Sequence, residues 1–230
     1  FIKKQPRGIS RIELFGPYEF HAKNIFVASD PSSAAFFIVG ALILPGSKIT
    51  LKNILLNKTR TAYLDILKKM GGKIKIKKTK TKCGEDIGDI NVQYSNLKGI
   101  EIKSSLAPQL IDEYPILSIA AACAKGKTTM LGLEELRHKE SDRIESIIYN
   151  LKKIGCNILS KNNSIIIFGS KLKLNKKIRI KTFNDHRIAM SFLILGLIFK
   201  DNFKLDNEDC ISTSYPDFKL HLNKMLIKDA

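Results

Sequence analysis

Three segments of the chain are apolar at nearly every position, and each follows an aspartate. They are DPSSAAFFIVGALILPGSKITL from Asp30, DEYPILSIAAACAKGKTTML from Asp112 and DHRIAMSFLILGLIFKDNFKL from Asp185. An aspartate carboxylate accepts hydrogen bonds from the free N–H groups at the start of a helix, so aspartate is a preferred N-cap. Apolar residues all round a helix are typical of a helix buried on every side. The pattern therefore predicts three core helices, each beginning at its aspartate.

A second type of helix follows the first two apolar segments. The stretches NKTRTAYLDILKKMGGKIKI (57–76) and HKESDRIESIIYNLKKIGCNILS (138–160) carry apolar residues at helical spacing and have nearly identical endings. Gly71 and Gly155 stand where a left-handed residue commonly ends a helix. A stretch rich in isoleucine and valine comes after each glycine. The sequence thus predicts two amphipathic helices, each followed by a β-hairpin.

These elements recur as a repeat of buried helix, strand, amphipathic helix and hairpin. The repeat covers about 30–105 and 112–182, and a third copy begins at Asp185. This third copy has its buried helix, a strand near Phe203–Leu205 and a short helix after Tyr215-Pro216. It lacks the later elements of the other copies. The pattern predicts an α+β fold with an incomplete third unit.

Residues 1–27 precede the first repeat and carry two strand-like pieces, Ile9–Phe15 and Asn24–Val27. An incomplete third repeat and two strands without a repeat of their own indicate that partner strands lie elsewhere. We therefore expect the chain to be the C-terminal part of a larger protein.

Composition excludes some classes of protein. The longest apolar runs, Ala34–Leu44 and Ile188–Phe199, have the length of buried helices rather than membrane spans. The cysteines are widely spaced without a CxxC motif, which favours reduced thiols in the cytoplasm over a disulfide or zinc site; they are Cys83, Cys123, Cys156 and Cys210.

The net charge of +17 comes mainly from lysines spread along the chain. The stretches KIKIKKTKTK (73–82) and KLKLNKK (171–177) are typical of strand edges with lysine on the wet face. Aromatic residues make up 8% of the chain and tryptophan is absent, so a basic nucleic-acid-binding module is disfavoured.

The stretch EELRHKESDRI (134–144) places many charges of both signs where the second amphipathic helix begins. Ser141 or Asp142 can cap this helix. Lys139, Glu140 and Arg143 then share one end of one helix face. A cation at a helix N-terminus opposes the helix dipole unless an anion is held between them. The turn is therefore predicted to bind an anion, with Glu140 as an acid beside it.

Four motifs resemble the C-terminal half of the 5-enolpyruvylshikimate-3-phosphate synthases, the enolpyruvyl transferases of the shikimate pathway. They are DPSSAAFF (30–37), LIDEYPILSIAAA (110–122), LRHKESDRI (136–144) and NDHRIAM (184–190), within a similarity from about residue 24 to about 222. The resemblance implies an enolpyruvyl transferase-like domain of repeated βαβαββ units, with parallel buried helices whose N-termini face an interdomain cleft. Residues 28–230 are then this domain, and residues 1–27 are terminal strands of the mostly absent other domain.

The resemblance also implies the reaction. The family transfers the enolpyruvyl group of phosphoenolpyruvate to the 5-hydroxyl of shikimate 3-phosphate and releases phosphate, without a metal or other cofactor. This chemistry needs a base, an acid and cations for phosphate and carboxylate.

The resemblance assigns functional roles of the family to individual residues of this chain. Asp112 matches the proton acceptor beside shikimate 3-phosphate, Glu140 the proton donor, and Lys139 the lysine that contacts the phosphorylated sugar. Arg143 and Arg187 match the arginines that bind phosphoenolpyruvate. His186 either assists proton transfer or makes a structural hydrogen bond. Without the resemblance, Asp112 would be an N-cap like Asp30 and Asp185, and the other residues would be surface charges.

Two departures from the family pattern stand out. Many members carry a lysine before the Tyr/Phe-Pro near the C-terminus, where this chain has Ser212, Thr213 and Ser214. The family's N-terminal half, with further residues for both substrates, has no counterpart here. We expect the chain to carry half of a site, to need the missing half as a partner, and to be inactive alone. A relative acting on UDP-N-acetylglucosamine, a non-catalytic basic binding module and a decayed fragment remain as alternatives.

Overall fold

The structure is a computed structural model that describes residues 2–4, 10–19, 21–172, 174, 177–199 and 202–226. Near the N-terminal end, strands β1 Ile2–Lys4 and β2 Ser10–Ile12 pair antiparallel. The strand predicted over Ile9–Phe15 is therefore confirmed at Ser10–Ile12, and Ile9 lies outside the described residues. The strand predicted over Asn24–Val27 is wrong, because these residues find no partner strand among the described residues and expose their apolar side chains.

The first repeat builds a three-stranded sheet. It contains helix α1 Pro31–Ile43, strand β3 Lys48–Leu55, helix α2 Ala62–Lys69, and strands β4 Lys73–Lys82 and β5 Glu85–Gln93. The strand order is β3-β5-β4, and both pairs are antiparallel. Ser29, just before α1, forms an isolated parallel bridge with Ile54 of β3. This bridge lies where the first strand of a βαβαββ unit would pair. The lysine-rich strand β4 lies at the edge of this sheet, as predicted.

The second repeat is a complete βαβαββ unit. It contains β6 Glu101–Ile102, α3 Ala107–Leu110, α4 Tyr114–Cys123, β7 Gly126–Met130, α5 Arg143–Lys153, β8 Asn157–Lys161 and β9 Ser164–Gly169. Its sheet has the order β6-β7-β9-β8, with β6 parallel to β7 and the other pairs antiparallel. A 3-10 helix, Glu134–His138, fills part of the turn between β7 and α5.

The third repeat is shorter within the described residues. It contains β10 Ile178–Ile180, α6 His186–Gly196, β11 Phe203–Leu205 and α7 Phe218–Leu226, and β10 pairs parallel with β11. The predicted strand at Phe203–Leu205 and the helix after Tyr215-Pro216 are confirmed. The strand edge predicted over 171–177 is wrong for residues 171, 172, 174 and 177, which lie outside any strand; residues 173, 175 and 176 lie outside the described residues.

The helices α1, α4 and α6 contact one another inside the hydrophobic core, as their apolar sequences predict. Asp30 caps α1 through the backbone N–H of Ser33, and Asp185 caps α6. The amphipathic helices α2 and α5 bury one face and end at left-handed glycines, with φ of 93° at Gly71 and 80° at Gly155. Within the described residues, none of the helices has both the length and the apolar character that a bilayer crossing requires.

Helix α4 departs from the predicted pattern. It begins at Tyr114, with Glu113 at the N-cap position, so the prediction that it starts at an Asp112 cap is wrong. Pro115 fixes the backbone of the first turn and donates no N–H, which reduces the need for a capping side chain. The Asp112 carboxylate is thereby free to bind other groups.

Glu113 is a carboxylate inside the protein, with 4% of its surface exposed. Its Oε1 atom has no hydrogen-bond partner among the described residues. Burial raises the pKa of Glu113, and the Ser32 hydroxyl and Arg187 partly offset this effect. The folded state therefore favours the protonated form of Glu113 relative to the unfolded chain.

A cluster of aromatic rings joins the C-terminal helix to the core. Phe218 is fully buried, with ring centroids 5.8 Å from Phe36, 5.4 Å from Phe37 and 5.5 Å from Tyr215. These rings hold α7 against α1.

We expect Phe218→Ala to lower the free energy of unfolding by about 3–5 kcal/mol, because it removes a buried ring that the neighbouring rings cannot replace. Leu220→Ala, on the exposed side of the same helix, should change it by less than about 0.5 kcal/mol. Urea denaturation followed by circular dichroism measures both. Equal losses would show that α7 does not depend on the cluster.

The raised pKa of Glu113 makes stability depend on pH in one direction. As pH rises above the ordinary glutamate pKa, the unfolded chain releases this proton before the folded chain does. The free energy of unfolding of the wild type should therefore fall relative to Glu113→Gln as pH rises through this window, by about 1.4 kcal/mol for each unit of pKa difference. Urea titrations from pH 4 to 8 measure the difference, and Glu134→Gln on the surface is the matched control. A difference that does not change with pH would contradict the prediction.

Candidate active site

Charged side chains from separate parts of the sequence meet where helices α4, α5 and α6 begin. Asp112 lies in the turn before α4, Glu140 in the turn before α5, and Arg143 is the first residue of α5. Asp185 caps α6, and Arg187 is the second residue of that helix. We call these five residues the arginine cluster. The structure therefore brings together four residues predicted from sequence, Asp112, Glu140, Arg143 and Arg187.

Arg143 is the centre of the cluster, and its side chain is 1% exposed. Its Nε donates to Asp185 Oδ2 at 2.8 Å, Nη1 to Asp112 Oδ1 at 3.3 Å, and Nη2 to Glu140 Oε2 at 2.5 Å. Every nitrogen of the guanidinium group thus contacts a carboxylate. A buried charge is costly unless it is paired in this way.

Arg187 shares Asp112 with Arg143. Its Nη1 donates to the backbone oxygen of Asp112 at 3.1 Å, and its Nη2 lies 3.4 Å from Asp112 Oδ2. Asp112 therefore bridges the two arginines while 39% of its side chain stays exposed. This bridge replaces the N-cap role and leaves the carboxylate accessible from solvent.

Asp185 has two roles at once. Its Oδ1 accepts from the backbone N–H groups of Arg187 at 2.8 Å and Ile188 at 3.3 Å, which confirms the predicted cap. Its Oδ2 accepts from Arg143 Nε and from the Ser141 hydroxyl at 3.1 Å. The same side chain therefore starts α6 and fixes Arg143 on α5.

The remaining predicted site residues lie beside the cluster. His186 is half-buried at the start of α6, and burial, with the charge of Arg187, lowers its pKa. The neutral imidazole is thus favoured at neutral pH. Lys139 is exposed, and the ion pairs found among the described residues do not include it.

Asn150 is a structural determinant of this site that the sequence analysis missed. It is fully buried in α5, its Nδ2 donates to the backbone oxygen of Lys181 at 2.7 Å, and its Oδ1 accepts from the Lys181 N–H at 3.0 Å. These bonds fasten the helix that carries Arg143 to the segment that leads into Asp185. An asparagine on the apolar face of a helix is unfavourable without such partners. Its position among the apolar residues of α5 is the sequence feature that could have indicated a structural role.

Arg60 is a second missed residue, at the corresponding place in the first repeat. It precedes α2, and its Nη2 donates to Asp30 Oδ1 at 3.2 Å and to the Ser32 hydroxyl at 3.1 Å. In both repeats an arginine near the start of the amphipathic helix therefore contacts the aspartate near the start of a buried helix.

In this structure, the net charge of the arginine cluster does not favour binding of a further anion. Among the described residues, three carboxylates contact Arg143 and one of them also contacts Arg187. The carboxylates of the cluster thus outnumber its guanidinium groups. Groups of three or more His, Cys, Asp or Glu side chains arranged to hold a metal ion are not found in the described part of the chain.

Known proteins resemble this chain along most of its length. The family model described as EPSP synthase (3-phosphoshikimate 1-carboxyvinyltransferase) matches residues 2–222. A curated 3-phosphoshikimate 1-carboxyvinyltransferase of Petrotoga mobilis is 48% identical over 85% of this chain and 45% of the relative. The protein of the same name from Thermoanaerobacter sp. is 43% identical over 91% of this chain and 49% of the relative. The chain spans about half the length of these curated relatives.

Solved structures share the fold. An EPSP synthase from Acinetobacter baumannii superposes with a TM-score of 0.86 and 39% identity, covering 97% of this chain and 51% of that chain. The enolpyruvyl transferase NikO from Streptomyces tendae has a TM-score of 0.64 at 14% identity, over 84% of this chain and 42% of that chain, and so supports the fold alone. The motifs, the repeated βαβαββ units and the matched family model agree, and the chain belongs to the EPSP synthase family.

Proposed function

We propose that this chain carries one half of an enolpyruvyl transfer site. The complete site transfers the enolpyruvyl group of phosphoenolpyruvate to the 5-hydroxyl of shikimate 3-phosphate and releases phosphate, with no metal or other cofactor. The observation that carries the proposal is the meeting of Asp112, Glu140, Arg143 and Arg187 at one rim of a chain of this family. The names of the curated relatives favour this reaction over transfer to UDP-N-acetylglucosamine.

The carboxylates take the proton-transfer roles. Asp112 accepts the proton of the attacking 5-hydroxyl, because its carboxylate is accessible and two arginines fix its position. Glu140 donates a proton to the methylene carbon of the enol ether, and half of its side chain faces solvent. A positioned acid or base of this kind contributes roughly 10²–10⁴-fold to a rate. Neutral His186 assists proton transfer from the start of α6.

The cations hold the charged groups of the substrates. Arg143 and Arg187 bind the phosphate and carboxylate of phosphoenolpyruvate, since a guanidinium group forms paired hydrogen bonds with either anion. Lys139 is exposed at the same rim and contacts shikimate 3-phosphate. Ser212, Thr213 and Ser214 supply no cation at the place where many family members have a lysine. We expect the other half of the site to supply further positive charge for the substrates.

The exposed surface of the N-terminal segment is consistent with contact to the other half of the site. Its large apolar side chains are exposed, namely Ile12, Leu14, Phe15, Tyr18, Ile25, Phe26 and Val27. Surfaces of this kind are typical of protein contacts. We infer that residues 1–27 belong with the other domain of the family fold, and that residues 28–230 form the domain described above.

The state of the thiols supports a cytoplasmic location. Cys83, Cys123, Cys156 and Cys210 are free. Burial raises the pKa of Cys123 to about 12 and of Cys156 to about 11, so both thiols stay protonated and unreactive at neutral pH.

The proposal is tested by joining the N-terminal half of the Petrotoga mobilis relative to this chain and measuring phosphate release from shikimate 3-phosphate and phosphoenolpyruvate. We expect the chimera to turn over and the chain alone to be inactive. Glu140→Gln should lower kcat by about 10²–10⁴-fold because the acid is lost. Arg187→Ala should lower kcat/KM by about 10²–10³-fold because a cation is lost. A silent chimera beside an active Petrotoga enzyme would refute the assignment, provided that the chimera is folded.

Asp185 should stabilise the fold more through its ion pair with Arg143 than through its role as a helix cap. Asparagine also caps helices, so Asp185→Asn keeps the cap. The substitution removes the fully buried carboxylate that pairs with the buried guanidinium group of Arg143. We expect a loss of about 3 kcal/mol in the free energy of unfolding. Asp30→Asn is the matched control, because Asp30 caps α1 at an exposed position, and it should cost less than about 1 kcal/mol. Urea denaturation of the chain measures both, and equal costs would exclude a stabilising role for the Arg143–Asp185 pair.

A further inference from the structure

We propose that Glu140 occupies the anion position on Arg143 while the site is empty, and that an arriving substrate anion displaces it. The Glu140 carboxylate is then a built-in competitor that sets the anion affinity of the site. This inference rests on the proposed function, because it describes how the same site passes from its empty to its occupied form. It assigns Glu140 a role in binding that precedes its role as an acid.

The first step concerns access to Arg143. Its side chain is 1% exposed, and each of its nitrogens already donates to a carboxylate. These bonds use three of the five N–H donors of the group. Because the side chain is almost fully buried, an anion reaches the group only where one of the three acceptors that cover it moves aside. Rigid docking onto the structure as it stands cannot provide the contact.

The second step identifies the acceptor that leaves. Asp185 is fully buried and also accepts from Ser141 and from two backbone N–H groups. Asp112 contacts both arginines. Glu140 is 48% exposed, and Arg143 is its one hydrogen-bond partner among the described residues. Glu140 thus has the fewest bonds to break and the shortest path to solvent.

The third step concerns the backbone. Residues 139–142 lie between the 3-10 helix Glu134–His138 and α5, outside any helix or strand. The backbone at Glu140 can therefore adjust as the side chain turns outward without breaking a helical or ladder hydrogen bond. Asp142, two residues later, caps α5 through the Glu145 N–H at 3.0 Å, so the start of the helix stays in place.

The fourth step concerns charge. The carboxylates of the arginine cluster outnumber its guanidinium groups, so a phosphate entering the cluster unchanged would meet net repulsion. Replacement of Glu140 by a substrate oxygen keeps the number of anionic groups on Arg143 constant. The same exchange releases the Glu140 carboxyl group from its cation, beside the position where the proposed reaction needs a proton donor. The released carboxylate then takes up a proton from solvent, which it donates in the proposed reaction, so binding of the anion prepares the acid.

The test measures binding to this chain alone, with inorganic phosphate and phosphoenolpyruvate as separate probes in isothermal titration calorimetry. Glu140→Gln keeps the shape of the side chain but removes the competing charge, so both probes should bind at least about tenfold more tightly. Glu140→Ala should give the same direction. Glu145→Gln is the matched control, because it removes an equal charge two residues from Arg143 where Arg137, not Arg143, is the partner. It should leave both affinities within about twofold of the wild type.

The outcomes are distinct. Unchanged or weaker binding by both Glu140 variants would overturn the proposal, and so would a gain of equal size in Glu145→Gln, which would indicate a general effect of net charge. A failure of every protein to bind either probe would overturn it as well, since removing the competitor should expose the site. Because no turnover is measured, a silent chimera accompanied by tighter binding in Glu140→Gln would refute the transfer reaction but not the exchange.

In the active chimera, the same exchange predicts opposite effects on the two kinetic constants. Glu140→Gln should lower KM for phosphoenolpyruvate while it lowers kcat, whereas a merely structural glutamate would raise KM or leave it unchanged. A raised KM in a folded variant would therefore contradict the role of Glu140 as a competitor.

Discussion

The buried guanidinium group of Arg143 is the constraint on which the arrangement of the site depends. A positive charge inside a protein must be compensated, and carboxylates from three separate turns compensate this one. The turns before α4, α5 and α6 are far apart in sequence, yet each places its carboxylate within 3.3 Å of the same side chain. Substrate-binding and proton-transferring groups are thus positioned by the interaction that also stabilises the start of α5.

The local structure was largely predictable because its causes are local. Asp30 and Asp185 precede apolar runs, and both cap helices. Gly71 and Gly155 end amphipathic helices with positive φ, which the residue type favours at little cost. The meeting of Asp112, Glu140, Arg143 and Arg187 was also predicted, but through resemblance to a family. Helical periodicity alone favoured a simple cap for Asp112.

The errors arose where distant contacts decide the structure. Asp112 is not a cap, because the two arginines that bind its carboxylate come from α5 and α6. Asn24–Val27 has the composition of a strand but finds no partner strand among the described residues. Asn150 looks unsuited to its helix until the backbone of Lys181 is brought beside it. No spacing rule within one segment contains this information.

The exposed apolar side chains between Ile12 and Val27 have a consequence for the behaviour of the chain in solution. An exposed apolar surface promotes self-association, and electrostatic repulsion between molecules of like net charge opposes it. With a net charge of +17, two copies repel each other at low ionic strength, and the lysines along the open edge of β4 discourage edge-to-edge pairing. Added salt screens this repulsion but leaves the apolar segment unchanged, so ionic strength governs whether the isolated chain stays dispersed.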